Sequence, residues 1–318
     1  MKVADLSVGD FAAALRADGL IVRLGPFAVR LRITEPTLFA PLHDLFAHYD
    51  LCPPDQTVLS FEVSIRRERR PADGFRAGFA CLLDGSLEGR SLSLPLALPT
   101  LEWTINWGIG NSAHQFLMLH SAVVERNGAA LVMPGAPGSG KSTLCASLVA
   151  RGWRLFSDEF ALVVPDTGQL VPMPRPISLK NRSVEVIRAA APQLHFGPLI
   201  EGTLKGAVAH LRPPLESILR QDETAPPRWV VFPKWREGAA AAALEPLDRI
   251  AFFKGLTEDA INYEVLGEQG FRTLRDLVER CAAYRLSYDS LDDALRVIEN
   301  LAEPAPLTER SSAHAATC

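Results

Sequence analysis

The sequence predicts an α/β protein in two parts, a small α+β unit over residues 1–100 and a larger α/β unit over 101–302, with a tail over 303–318. Three observations carry this reading. An apolar run at 122–124 meets Asn127-Gly128 and then a second apolar run at 129–133, the pattern of an antiparallel hairpin over 120–135. A glycine-rich stretch, a helical segment around 142–151 and the strand-like run RLFSDEFALVV follow in that order, and strand, loop, helix, strand is the signature of an α/β layer. The first hundred residues mix strands and short helices and carry no recognisable chemistry.

Composition narrows the classes. With 318 residues, 47% hydrophobic and 22% charged, the chain can bury a sizeable core. Its 33 basic and 37 acidic residues are scattered and the formal net charge is −4, which disfavours a nucleic-acid binder. Five cysteines, Cys52, Cys81, Cys145, Cys281 and Cys318, show no CxxC or Cys/His spacing, which argues against disulfides or structural zinc and for a reducing compartment. Asp5, Asp10, Arg16 and Asp18 interrupt any signal-like start, and no apolar run approaches the ~18 residues that span a bilayer. A soluble, cytoplasmic protein with no membrane span is expected.

The elements are expected as follows. Ser7 caps a helix over 7–19, where Phe11, Ala12 and Leu15 recur at helical spacing and Gly19 stops it. Strands are expected at 20–33, 58–66 and 75–83, the last followed by an Asp84-Gly85 turn, with a helix from Pro36 to Tyr49 between them. Pro95 and Pro99 mark the edge of the first unit, and 100–118 reads as a helix. After the acidic segment, Asp166, Thr167 and Gly168 turn the chain into QLVPM, whose prolines suit an edge strand. Residues 228–233 add a strand and 268–301 hold two helices. The last sixteen residues, without periodicity, read as a mobile tail.

Residues 135–142, GAPGSGKS, match G-x-x-x-x-G-K-[ST] in full, between a predicted strand and a predicted helix. Gly135, Gly138 and Gly140 permit tight turns, so the backbone N–H groups of Gly135, Ala136, Pro137, Gly138, Ser139, Gly140, Lys141, Ser142 and Thr143 (proline excepted) can converge on phosphate oxygens at a helix N-terminus. Lys141 supplies charge to the β- and γ-phosphates and Ser142 a hydroxyl to Mg²⁺. Asp158 and Glu159, beginning 17 residues after Lys141, are the candidate carboxylates for metal and proton. They lie beside the loop if the two flanking strands are parallel neighbours.

Hairpin register adds His120, which falls opposite Gly135. It either joins the site or is satisfied by a backbone carbonyl. Counting across the next turn sets Arg175 near Glu159, to clamp phosphate or to pair with the acid. Lys180, Asn181 and Arg182 are either a phosphate- or acceptor-facing stretch or a solvated loop. His210 and Arg212 either reach a phosphate or are only a strand end before a proline turn, and Trp103 and Trp107 read as core.

The ordered set of His120, GAPGSGKST at 135–143, a helix and Ser157-Asp158-Glu159 resembles the HPr kinase/phosphorylase family. Within it, the set is similar to the HPr-kinase-related branch found in bacterial peptide- and polysaccharide-associated gene clusters. PRPISLKN (174–181), HLRPP (210–214) and NYEVLGEQGF (262–271) look like that branch too, so the resemblance spans roughly residues 115–300. It implies a P-loop kinase domain of the HPr kinase/PEP carboxykinase type behind the small N-terminal unit, with ATP and Mg²⁺ as cofactors. On matching positions it implies Asp158 as general base, Glu159 and Ser142, with Asp158, at the metal, Lys141 as phosphate clamp and His120 as accessory. The second acid here is glutamate where the family has aspartate, and the family's later glutamate is not placed, so neither phosphorolysis nor HPr as substrate is carried over. The expected function is ATP- and Mg-dependent transfer of the γ-phosphoryl group to a hydroxyl, a serine of a peptide or small protein, in a chain that can form a homo-oligomer. Kinase activity on a free metabolite such as serine or a sugar, and a non-catalytic nucleotide sensor, remain as alternatives.

Overall fold

The computed structural model describes residues 1–239 and 241–302; the expected tail at 303–318 lies outside them. Ser7 Oγ accepts the Asp10 amide at 3.1 Å and starts α1 (Val8–Arg16). The run at 20–33 is two strands rather than one, β1 (Leu20–Leu24) and β2 (Phe27–Ile33). Gly25 breaks it, at φ +58° and with space for no side chain, since a Cβ there would meet the Pro172 carbonyl oxygen at 2.4 Å. The Pro36–Tyr49 helix shortens to a 3-10 turn (Pro36–Leu38) and α2 (Phe39–Leu45). β3 (Phe61–Arg69), β4 (Ala77–Leu83) and β5 (Ser86–Ser91) follow, the last two joined through Asp84 and Gly85 at φ +47° and +81°. The five strands form one sheet in the order β1-β2-β3-β4-β5, antiparallel except for β2 and β3.

α3 (Ala97–Ser112) crosses the expected division at residue 100 and ends six residues short of the expected 118. Pro99 sits in its first turn, where a missing N–H costs no helical bond. Leu98, Leu101 and Ile105 of this helix pack into the same core as the N-terminal sheet.

β6 (Leu117–Arg126) and β7 (Ala129–Pro134) form the expected hairpin, with Asn127 and Gly128 at φ +56° and +78°. Arg126 faces Ala129 and Val124 faces Leu131 as counted, and the ladder ends at Ser121–Pro134. Beyond the glycine-rich loop come α4 (Lys141–Ala150), β8 (Arg154–Ser157), β9 (Phe160–Val163) and β10 (Leu170–Val171). β11 (Ile177–Lys180), α5 (Arg182–Ala190), β12 (Ile200–Thr203), β13 (Gly206–Leu211) and α6 (Leu215–Leu219) follow. The chain then runs through β14 (Pro227–Trp235), β15 (Ala243–Pro246), α7 (Arg249–Asp259), α8 (Tyr263–Leu266) and α9 (Glu268–Arg280) to β16 (Ala282–Tyr288) and α10 (Leu291–Ala302). β16 is a strand between the two helices expected over 268–301.

The main sheet has the order β10-β9-β6-β7-β14-β16-β15, with β8 also on β6, so QLVPM does lie at an edge. β14 runs parallel to both β7 and β16. Leu144, Leu148, Ile187 and Ile298 from α4, α5 and α10 bury one face, and Phe252, Leu256, Leu274 and Leu277 from α7 and α9 belong to a separate core cluster on other residues of the same strands. A smaller antiparallel sheet, β11-β13-β12, packs against α4. The fold is mixed α/β. Among the described residues no helix is long and apolar enough to cross a membrane.

Candidate functional site

The glycine-rich loop joins the C-terminal end of β7 to the N-terminus of α4. Gly135, Gly138 and Gly140 take φ of +140°, +85° and +100°, which L side chains rarely adopt. At Gly140 space is decisive as well, because a Cβ would lie 2.1 Å from the Tyr288 hydroxyl. The Ser139 carbonyl accepts the Trp235 amide at 3.1 Å, which ties the loop to the end of the parallel strand β14. Backbone N–H groups at a helix N-terminus in such a place form an anion-binding cradle. Lys141 is buried and donates to the loop's own carbonyls, Gly135 O and, at 3.3 Å, Ala136 O. Burial lowers its pKa, against the pull of Asp259, Asp158 and Glu159.

The strand geometry expected for the acids needs correction. β8 is not hydrogen-bonded to β7; β6 lies between them and is antiparallel to both. β8 therefore runs in the same direction as β7, one strand removed. The run 154–163 breaks at Asp158-Glu159 because Ser157 Oγ accepts the amides of Glu159 (3.2 Å) and Phe160 (3.0 Å), and the Glu159 carbonyl accepts the Ser121 amide at 3.1 Å. This turn brings both acids toward Lys141, whose pKa they raise.

Asp158 is 3% exposed; its Oδ2 accepts the Ser178 amide at 3.1 Å, and its Oδ1 is buried without a partner. Burial, then the Glu159 charge, push its pKa up to about 8, opposed by the Ser178 amide, Lys180 and the Ser142 hydroxyl. Glu159 is partly exposed, and its Oε2 lies 3.8 Å from His120 Nδ1. Burial first, and Lys141 second, lower the His120 pKa, while Glu159 raises it. The oxygen donors of Asp158, Glu159 and Ser142 fit Mg²⁺, which uses one or two carboxylates plus water and phosphate. Among the described residues no group of three or more His, Cys, Asp or Glu side chains forms a metal cluster.

Arg175 does not pair with Glu159. It binds Glu102 Oε2 of α3 at 2.5 Å and Asn106 Oδ1, in a pair whose two side chains are both about 6% exposed. The β9–β10 ladder stops after two pairs, and Pro172 and Pro174 then release the chain from the edge, so no ladder brings the two side chains into a pair. Arg175 and Glu159 nevertheless line one cavity of about 490 Å³ together with Asp158, Lys180 and His210. His210 is 2% exposed with Nδ1 unpartnered, and burial lowers its pKa to about 4. Lys180 faces the cavity, Asn181 holds the Lys205 carbonyl at 3.0 Å, Arg182 is exposed, and Arg212 pairs with Asp44.

Trp103 and Trp107 are not core. Leu98, Leu101 and Ile105 take the buried face of α3, leaving the two tryptophans about half exposed and stacked at 6.0 Å with 8° between planes. Sequence reasoning missed Asp259. It ends α7 just before Ala260, which bridges to Leu119, and it sits by Lys141 and Gly135 with its pKa pushed by burial to about 6. No motif surrounds it; only the return of α7 to β6 brings it there.

A family model described as SynChlorMet cassette protein ScmC matches residues 109–180, the segment holding His120, the loop and the acid pair. Among solved structures, the HPr(Ser) kinase/phosphatase from Coxiella burnetii is similar at 13% identity and a TM-score of 0.26, over 58% of this chain and 96% of that one. No curated protein matches the chain in sequence.

Proposed function

We propose that the chain binds ATP with Mg²⁺ at the glycine-rich loop and transfers the γ-phosphoryl group to a hydroxyl, that of a serine in a peptide or small protein. One observation carries this reading: Lys141 and Ser142 of the loop both act on a buried carboxyl, Asp158, whose Oδ1 has no hydrogen-bond partner within 3.5 Å among the described residues. A phosphate cradle alone fits many roles. An orphaned basic oxygen beside it fits proton removal from an acceptor.

Phosphoryl transfer asks the protein mainly for positioning and charge stabilisation. Loop amides and the α4 N-terminus hold phosphate oxygens, and Lys141 leaves the Gly135 and Ala136 carbonyls for the β- and γ-phosphates. Mg²⁺ held by Ser142, Glu159 and Asp158 would neutralise phosphate charge. Asp158 Oδ1 takes the hydroxyl proton as the acceptor oxygen bonds to the γ-phosphorus and the bridging bond to ADP breaks. Its raised pKa suits this task, since a base works best when its pKa lies near the operating pH. His120 orients Glu159, and Arg175, locked to Glu102, holds the cavity wall.

Mass spectrometry of cell extract incubated with ATP and the purified protein tests the proposal. New phosphoserine products are expected with the wild type and not with Lys141→Ala. Identical product lists for the two proteins reject it.

A further inference from the structure

The cavity beside the acid pair is separate from the glycine-rich loop, none of whose residues 135–143 lines it. Its inner wall holds Asp158 and Glu159. Its outer wall comes from the N-terminal unit, from Arg90 and Ser91 of β5 and from Trp103 on α3. Lys180, Thr203, Leu204 and Lys205, from β11 and the β12–β13 hairpin, form the remaining side.

Three features of this cavity point to its occupant. First, β5 and β12, each at the edge of its sheet, both contribute residues to the lining. An extended peptide satisfies such edges by strand addition. Second, the exposed lining residues Trp103, stacked on Trp107, and Leu204 offer apolar support at the rim. Third, Arg90 is satisfied by Glu68 at 2.9 Å, whereas among the described residues neither the Lys180 nor the Lys205 ammonium has a carboxylate oxygen within 4.0 Å, though the Lys180 charge is felt at Asp158. Both lysines lie near enough to the reaction centre to disfavour a charge on His120.

Resting on the phosphoryl-transfer reading above, we infer that this cavity is the acceptor site and that the N-terminal unit exists to wall it. The occupant is an extended peptide segment whose hydroxyl residue is flanked by an acidic residue, meeting Lys180 and Lys205, and by an apolar residue, meeting Trp103 and Leu204. The hydroxyl enters toward Asp158 Oδ1, opposite in direction to the nucleotide in its cradle.

Alanine-based peptides with one central serine, carrying Asp, Lys or Leu at each flanking position, test this in two ways. Transfer is measured with ATP and Mg²⁺, and binding is measured without nucleotide by anisotropy of the fluorescein-labelled peptides. Wild type is expected to phosphorylate and bind at least about 5-fold more of the Asp-flanked than the Lys-flanked peptides, the scale of one to two partly screened charge pairs. The exposed charge swap Lys205→Glu should reverse that preference, and Trp103→Ala should erase the gain from Leu, with KM for ATP unchanged in both. Equal use of Asp- and Lys-flanked peptides, an unaltered preference in Lys205→Glu, or preferential phosphorylation of free serine overturns the inference. Charge-dependent peptide binding without transfer to any acceptor leaves the cavity standing as a peptide site and rejects the kinase reading. Transfer without flank preference does the reverse.

Discussion

The Ser178 backbone amide donates to Asp158 Oδ2 at 3.1 Å, fixing a buried carboxyl whose Oδ1 has no hydrogen-bond partner within 3.5 Å among the described residues. The bond comes from β11, the first strand of the small sheet, and Asp158 and Ser178 both line the cavity. On the proposed reading, this clamp sets one carboxylate between the bound nucleotide and the acceptor hydroxyl.

Asp158→Asn keeps the Ser178 contact through the amide oxygen and cannot take a proton. Phosphoryl transfer should fall by roughly 10²–10⁴-fold, the usual share of general-base catalysis, while nucleotide affinity measured without Mg²⁺ changes little. Single-turnover transfer and equilibrium nucleotide binding, measured on the same preparation, check this. Undiminished turnover would reject Asp158 as the base.

The same residue sets a pH dependence of stability. Its folded pKa of about 8 lies above the ordinary value of 3.8, so across that interval the folded protein holds a proton the unfolded chain has lost. Stability from this group is therefore greatest at low pH and falls as pH rises toward 8. His210 acts in the opposite sense: its pKa is lowered from 6.5 to about 4, so stability is lost as pH falls through that window. In nucleotide-free melts, Asp158→Asn should gain Tm relative to wild type as pH is raised from 5 to 8, and His210→Gln should gain as it is lowered from 7 to 4.5. Parallel profiles for all three proteins would contradict these assignments.

Gly140→Ala places a methyl 2.1 Å from the Tyr288 hydroxyl at φ +100°. The expected cost is about 1–3 kcal/mol of stability from the backbone alone, with nucleotide binding lost. Gly138 has the same handedness but no atom within 4 Å of its Cβ position, so Gly138→Ala should be the milder change. Denaturant melts and nucleotide titrations of the two variants, side by side, read this order directly.

Arg175→Met leaves Glu102 buried with no partner, at a site where burial already raises its pKa. A loss of about 3–5 kcal/mol is expected, and Glu102→Leu combined with Arg175→Met should recover much of it. A double-mutant cycle by chemical denaturation measures the coupling; additive losses would show that the two residues are independent.

Local chemistry made the hairpin and the loop legible. Asn127-Gly128 dictates a turn with both φ positive, which fixes the β6–β7 register over six pairs, and the G-x-x-x-x-G-K-S run occupies the strand–helix junction its backbone requires. Register sets Arg175 near Glu159, and the two do line one cavity, but the ladder no longer holds the chain past two prolines and the guanidinium pairs with Glu102 instead. Residue type alone predicts Trp103 and Trp107 as core, but helical phase decides, and the buried face of α3 is filled by leucines and isoleucines. Asp259 and the Arg175–Glu102 pair arise from contacts between segments far apart in sequence, about which no local pattern informs.

The central claim is that Lys141 and the loop hold a nucleotide whose metal lies against Glu159 and Asp158. Calorimetric titration of a non-hydrolysable ATP analogue, with and without Mg²⁺, into wild type, Lys141→Ala and Glu159→Gln tests it most directly. The account predicts one site in wild type that Mg²⁺ strengthens, no site in Lys141→Ala, and a site indifferent to Mg²⁺ in Glu159→Gln. Equal binding by wild type and Lys141→Ala would contradict it.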